Sequence, residues 1–176
     1  TACKFMIWIV LILLPILLTA AIAGVKGAPW VPTKRGLIDG VVAELEIKPG
    51  MTVYDLGCGD GRVLKALSSK QPHANYIGHE LSLLPFLIAK LRTVKNSNIS
   101  IVFKDVTRTD YTDADVIFLF WMSETSKKLL NRMTKDLKPD CHIAVEGWKP
   151  VKAEPIRTIR PENHIPVYVY RASQWR

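Results

Sequence analysis

Hydrophobic and polar positions divide the chain into an apolar N-terminal run and a longer part in which short apolar segments alternate with amphipathic ones. Residues 5–25 carry no charged side chain. A helix over this run, at about 1.5 Å per residue, reaches about 30 Å, which is the thickness of a bilayer core. The run therefore predicts one membrane-spanning helix, which Pro15 would bend.

The same apolar run has a second interpretation as a cleaved signal peptide, because Ala21-Ile22-Ala23 has the small-x-small pattern of a cleavage site. The run is longer than a usual signal-peptide core, which favours the anchor. Lys26, Lys34 and Arg35 follow it, whereas Lys4 precedes it. The positive-inside rule then predicts a single-pass protein with its C-terminal part in the cytoplasm, or on the matrix side in a mitochondrion.

Beyond the apolar run, periods of two and of 3.6 residues alternate along the chain. The predicted strands are 51–56, 75–80, 99–104, 114–121 and 142–147, and the predicted helices are one that Thr33 caps, one that follows Gly61, 84–91 and 123–137, with Ser123 as a cap. Two further strands, 156–159 and 166–171, have no helix between them, which predicts an antiparallel pair at one edge. The pattern predicts an α/β fold with a doubly wound, mostly parallel sheet.

We therefore expect an anchor over residues 1–26, a short linker over 27–32, and one catalytic or binding domain that completes the 176-residue chain. Three cysteines, at positions 3, 58 and 141, show no C-x-x-C spacing, and this pattern fits a reducing compartment. The four histidines have no metal-like spacing, so we expect no metal. The net charge of +8 favours acidic partners without choosing among them.

The most informative segment is a glycine cluster, Asp55-Leu56-Gly57-Cys58-Gly59-Asp60-Gly61-Arg62, between the first strand of the domain and a helix. A dinucleotide-binding G-x-G-x-x-G would need a third glycine where Arg62 stands, and no Gly-Lys-Ser/Thr of a phosphate-binding loop follows. Glu80 and Asp105 follow the next two strands. Because parallel strands end at one edge of a sheet, Asp55, Glu80 and Asp105 should line one pocket.

This arrangement resembles motif I and the following acids of the seven-β-strand methyltransferases that use S-adenosylmethionine, and it implies their Rossmann-like fold and their cofactor. The resemblance places Glu80 on the ribose hydroxyls, Asp105 on the adenine amine and Asp55 on the ammonium group, directly or through water. For Asp60, a cap on the following helix remains the alternative. The implied cofactor-binding residues are Asp55, Gly57, Cys58, Gly59, Asp60, Gly61, Glu80 and Asp105.

The lead-in Trp30-Val31-Pro32-Thr33 and the C-terminal Val167-Tyr168-Val169-Tyr170 are similar to segments of small protein-lysine methyltransferases, archaeal and membrane-anchored mitochondrial. That resemblance implies a protein lysine near a membrane as the acceptor, with Trp121 positioning it. One departure is Leu81-Ser82, where those relatives usually have Asn.

Two other functions remain open at this point: a methyltransferase for a small molecule, a lipid or RNA, and a non-catalytic adaptor that binds the cofactor. The segment 118–121 lacks the D/N-P-P-Y-type motif of base methylation, so we expect no nucleic acid partner. Intact acids at the three strand ends argue against an adaptor.

Overall fold

The computed structural model describes residues 2–26 and 30–175, so residues 27–29 of the predicted linker lie outside the described residues. Strands and helices alternate as the hydrophobic pattern predicts. The helices are α1 (Ala2–Val25), α2 (Arg35–Glu44), α3 (Arg62–Lys70), α4 (Leu83–Thr93) and α5 (Ser123–Met133). The strands are β1 (Thr52–Leu56), β2 (Asn75–Glu80), β3 (Ile99–Phe103), β4 (Val116–Leu119), β5 (His142–Glu146), β6 (Arg157–Ile159) and β7 (Val167–Arg171).

In the described part of the chain, seven strands form one sheet in the order β3-β2-β1-β4-β5-β7-β6. Strands β1 to β5 are parallel, whereas β7 runs antiparallel to both β5 and β6. The predicted antiparallel edge pair is therefore confirmed. The chain leaves β1 toward β2 and β3 on one side and returns to β4 and β5 on the other. This reversal creates a crevice at the carboxyl ends of β1 and β4, where ligands of such sheets bind.

Two of the predicted helix caps are wrong. The cap position of α2 is occupied by Lys34 rather than Thr33, and the Lys34 side chain makes no capping hydrogen bond. Ser123 lies inside α5, and Met122 precedes the helix without a side-chain cap. Strand β4, Val116–Leu119, is two residues shorter at each end than the predicted 114–121.

Buried apolar side chains form one cluster on each face of the sheet. The first cluster joins alternate strand residues to α2, α3 and α4, through residues such as Leu37, Val41, Leu64, Leu67 and Ala89. The second joins the other strand residues to α5, through residues such as Tyr54, Ile117, Leu129, Leu130 and Ile143. Because β-strand side chains alternate, the side chains of Asp55 and Glu80 face the first cluster.

Helix α1 is apolar and mostly exposed, and its C-terminal part packs on the domain. The Thr19 hydroxyl group accepts a hydrogen bond of 3.0 Å from the backbone N–H of Leu83, the first residue of α4. Ala23 is buried. Residues Lys4–Val25 are long and apolar enough to cross a membrane, a test that a signal sequence also passes.

The packing between β2 and α3 depends on the missing side chain at Gly78. A Cβ atom there would lie 2.7 Å from Cys58 Sγ, 2.8 Å from Leu64 Cδ1 and 2.9 Å from Ile101 Cδ1. We expect Gly78→Ala to lower the free energy of unfolding, measured in urea, by about 1–3 kcal/mol through overpacking.

Gly36→Ala is the matched control for Gly78→Ala. A Cβ atom at Gly36 would meet only the ring of His164, the far end of a side chain, and Ala favours the helix. This variant should be as stable as the wild type or more stable. Equal stability of the Gly78→Ala protein would contradict the packing described for β2.

Candidate functional site

The glycine loop between β1 and α3 has a backbone that L side chains rarely adopt. The φ angles of Gly57, Gly59 and Gly61 are +79°, +55° and +73°. The backbone N–H groups of Gly57 and Cys58 donate hydrogen bonds of 2.9 and 3.0 Å to the carbonyl oxygen of His79 in β2. The loop is therefore a rigid turn over the carboxyl ends of two neighbouring strands.

Two indole rings lie against this loop from different directions. A Cβ atom on Gly57 would lie 2.8 Å from Trp121 Nε1, and one on Gly59 would lie 2.9 Å from Trp30 Cδ1 and Nε1. Trp121 Nε1 also donates a hydrogen bond of 2.7 Å to the carbonyl oxygen of Leu56, and the residue is only 7% exposed. Trp121 thus supports the loop in this structure, and its part in acceptor positioning stays a prediction.

Glu80 connects the end of β2 to the glycine loop. One of its carboxylate oxygens accepts a hydrogen bond of 2.8 Å from the backbone N–H of Gly59. The other accepts from the backbone N–H groups of Leu81 and Ser82, at 2.9 and 2.7 Å. Since a carboxylate has about four lone-pair positions, one remains on Oε2 for a further donor.

Asp55 is the last but one residue of β1 and is buried. No described residue donates a hydrogen bond to its carboxyl group. Burial raises the pKa of Asp55 well above its usual value, and the charges of Glu80, Glu146 and Asp60 raise it further. A buried carboxyl group of this kind is a suitable partner for a cationic ligand group.

Asp60 has a different environment from the other acids. Its carboxylate forms ion pairs with Arg62 at 2.6 Å and with Arg92 at 3.0 Å. Burial opposes its ionisation, but the hydrogen bonds and charges of the two guanidinium groups outweigh burial and lower its pKa. Gly61, not Asp60, occupies the cap position of α3. Asp60 therefore does not occupy the cap position, but its carboxylate accepts a 3.3 Å hydrogen bond from the backbone N–H of Arg62.

Asp105 follows β3 and has a partner that the sequence did not indicate. The ammonium group of Lys26, just beyond the last residue of α1, forms an ion pair with its carboxylate. The N–H and hydroxyl groups of Thr107 also donate to it, at 2.9 and 2.8 Å. Burial opposes ionisation of Asp105, but these contacts outweigh it and lower the pKa.

Two cavities meet at the glycine loop. The first is a cleft that the residues before α2 cover. Its walls include Trp30, Pro32, Asp55, Glu80 and Phe120. The second shares Gly57 and Glu80 with the first and continues to Lys26 and Asp105. The walls of the two cavities together contain Asp55, Glu80 and Asp105, which thus lie around the glycine loop.

Glu146 is a buried acid that the sequence reasoning missed. It ends β5, on the same face of the sheet as Ala144. Ala144 pairs with Phe118 of β4, and Phe118 in turn pairs with Asp55 of β1. Its Oε2 atom has no hydrogen-bond partner among the described residues, and burial raises its pKa to about 7. The strand-end rule that selected Glu80 could have selected this residue too.

Comparisons with known proteins agree with this geometry. A sequence model of the ANTKMT methyltransferase domain family matches residues 55–156. A protein-lysine N-methyltransferase of Saccharolobus islandicus is 26% identical over 154 residues, which are 83% of this chain and 94% of that protein. A carboxy-S-adenosyl-L-methionine synthase of Chromohalobacter salexigens is 30% identical over 110 residues, 57% of this chain and 41% of that enzyme.

Solved structures share the fold at low sequence identity. An RNA methyltransferase from Salinibacter ruber, in complex with S-adenosyl-L-homocysteine, superposes with a TM-score of 0.74 at 21% identity, covering 81% of this chain and 94% of that one. A methyltransferase from Geobacter sulfurreducens with the same ligand gives a TM-score of 0.58 at 20% identity, covering 72% and 53%.

The raised pKa of Glu146 predicts a pH-dependent stability. The folded protein holds the proton of Glu146 up to about pH 7, whereas the ordinary pKa of a glutamate is 4.5, so the wild type loses stability as the pH rises between these values. Glutamine mimics the protonated acid at every pH. From pH 5 to pH 8, the unfolding free energy of Glu146→Gln should therefore rise by about 2–3 kcal/mol relative to the wild type.

Glu124→Gln is the control for this measurement, because Glu124 is an exposed acid on α5. Its unfolding free energy should run parallel to that of the wild type. Parallel curves for Glu146→Gln as well would show that Glu146 is ionised in the folded protein.

Proposed function

Because the chain belongs to the ANTKMT methyltransferase domain family, we propose that it transfers a methyl group from S-adenosylmethionine to a lysine side chain of a membrane-associated protein. The family and the fold make the chain an S-adenosylmethionine-dependent methyltransferase. The observation that carries the proposal is the buried Asp55 beside the glycine loop, whose carboxyl group accepts no hydrogen bond from the described residues.

The residues around the loop fit the proposed cofactor. Asp55 would bind its ammonium group, and the free lone pair of Glu80 would accept from a ribose hydroxyl. Gly57, Gly59 and Gly61 permit the positive φ angles of the loop, and Cys58 and Asp60 lie between them. Asp105 would accept a hydrogen bond from the adenine amine, either while it keeps its ion pair with Lys26 or in place of that ion pair. S-adenosylmethionine supplies the methyl group, activated on a sulfonium.

The acceptor must reach the loop from the cleft. A lysine amine attacks only in its neutral form, and an apolar, partly dry wall disfavours the ammonium form. Trp30 and Phe120 supply such a wall beside Asp55. The similarity to a protein-lysine N-methyltransferase along 94% of that protein supports a lysine acceptor. The chain itself would hold the two reactants in line and exclude water.

The membrane part of the proposal rests on α1. We propose that residues 1–26 remain attached as a single-pass anchor and that residues 27–176 form the catalytic domain on the cytoplasmic or matrix side. The apolar span Lys4–Val25 and the basic residues Lys26, Lys34 and Arg35 after it support this orientation. The buried thiols of Cys58 and Cys141 are free, as expected on a reducing side.

The proposed role of Glu80 predicts a loss of cofactor affinity. Glu80→Ala removes a charged acceptor and releases the Gly59 N–H, so calorimetry should show S-adenosylmethionine binding weakened about 30- to 150-fold. Glu80→Gln keeps one acceptor and should lose about tenfold. The exposed Glu124→Gln should bind normally. Unchanged affinity in a folded Glu80→Ala protein removes Glu80 from the site.

The acceptor can be identified with the full chain in liposomes. We expect methyl-labelled S-adenosylmethionine and a membrane extract to yield label on lysine side chains, mapped by mass spectrometry, mainly in membrane-associated proteins. Glu80→Ala is the matched control and should give little label at the same cofactor concentration. Label in lipids, RNA or small molecules, with none on lysine, would refute the lysine proposal but leave the methyltransferase intact.

A further inference from the structure

Helix α4 carries a stripe of exposed apolar side chains. Leu84, Leu87, Leu91 and Val94 recur at spacings of three and four residues, and their exposed fractions are 42%, 46%, 76% and 76%. Phe103, at the end of the edge strand β3, is 44% exposed and packs on α4 through Phe86. We call these five residues, Leu84, Leu87, Leu91, Val94 and Phe103, the α4 face. A contiguous exposed apolar patch of this kind marks an interaction surface.

The charges around the α4 face are of one sign. Between Glu80 and Asp105 the sequence contains no acidic residue and four basic ones. Lys90, Lys95 and Lys104 are exposed, whereas Arg92 turns inward to Asp60. On a helical projection, at about 100° per residue, Lys90 and Lys95 lie on opposite borders of the apolar stripe. An apolar face bordered by lysines is complementary to an anionic lipid surface.

The α4 face is also continuous with α1. The hydroxyl group of Thr19 accepts from the Leu83 N–H and donates to the carbonyl oxygen of Pro15, so it satisfies the first backbone N–H group of α4. Thr19 lies six residues before the end of α1, about 9 Å along its axis. The start of α4 therefore lies beside the last two turns of the apolar helix.

We propose that the α4 face lies in the bilayer surface beside α1, with its apolar stripe at the boundary of headgroups and acyl chains and its lysines at anionic headgroups. This inference rests on the proposed membrane anchoring. A second copy of the chain is the competing occupant, but residues 81–104 carry three exposed lysines and no acid, so two such faces would repel each other.

The test is site-directed spin labelling of the full chain in nanodiscs that hold one copy each. In a Cys3→Ser background, single labels are placed through Leu87→Cys, Leu91→Cys, Leu11→Cys and Glu162→Cys. Leu11 reports whether α1 is in the bilayer. Glu162 is the control, because it is exposed and lies in the loop after β6, at the opposite edge of the sheet from β3.

We expect the labels at positions 11, 87 and 91 to collide more with dissolved oxygen, which concentrates in lipid, than with a water-soluble nickel chelate. The label at position 162 should show the reverse. Lys90→Glu with Lys95→Glu should reduce the lipid signal at position 91 about twofold or more in anionic discs, and added salt should act in the same direction.

Other outcomes separate the possible failures. Labels at 87 and 91 that behave like position 162, while position 11 is in lipid, overturn the proposal and leave the anchor standing. A water-exposed label at position 11 refutes the anchor itself, and with it this inference, but not methyl transfer. Protection of positions 87 and 91 only in discs with two copies assigns the face to a contact between chains.

Discussion

Three backbone N–H groups converge on the Glu80 carboxylate, and the position of the glycine loop depends on them. The bond from Gly59 holds the loop against the end of β2, while those from Leu81 and Ser82 set the direction in which the chain leaves that strand. Hydrogen bonds to a buried ion are stronger than neutral ones. One side chain thus fixes the floor of the pocket, the start of α4 and the docking of α1 through Leu83.

The pocket holds more negative charge than its own cations compensate. Asp60 has two arginine partners, whereas Asp55 has no basic partner among the described residues. Burial raises the pKa of Asp55, and the charges of Glu80 and Glu146 raise it further. Burial likewise raises the pKa of Glu146, so ionisation is unfavourable at both acids in the free site. A ligand with a positive end would stabilise the ionised form of Asp55, and the site therefore favours a cationic cofactor.

The sequence predicts features that depend on neighbouring residues and misses those that depend on distant ones. Gly57, Gly59 and Gly61 identify the loop because positive φ angles restrict the residue type locally. The strand-end rule also predicts that Glu80 and Asp105 lie at the same edge of the sheet, because β2 and β3 are parallel. Lys26 meets Asp105 across 79 positions of sequence, and no periodicity reports such a contact.

Helix ends show the same limit. Thr33 and Ser123 have the residue type of a cap, yet neither caps a helix. The first N–H of α4 instead binds Thr19, a residue of another helix. A cap predicted from sequence assumes a local acceptor, and tertiary contacts can supply a different one.

The ion pair between Lys26 and Asp105, together with the hydrogen bond between Thr19 and Leu83, holds the end of α1 beside the pocket. With α1 in a bilayer, the pocket stays close to the lipid, because Asp105 contacts Lys26, the residue that follows α1. For the proposed lysine acceptors, the height of the lysine above the membrane would then matter more for selection than the residues around it. Unrelated proteins that present a lysine at this height would be equivalent substrates, while the same lysine on a taller domain would be out of reach.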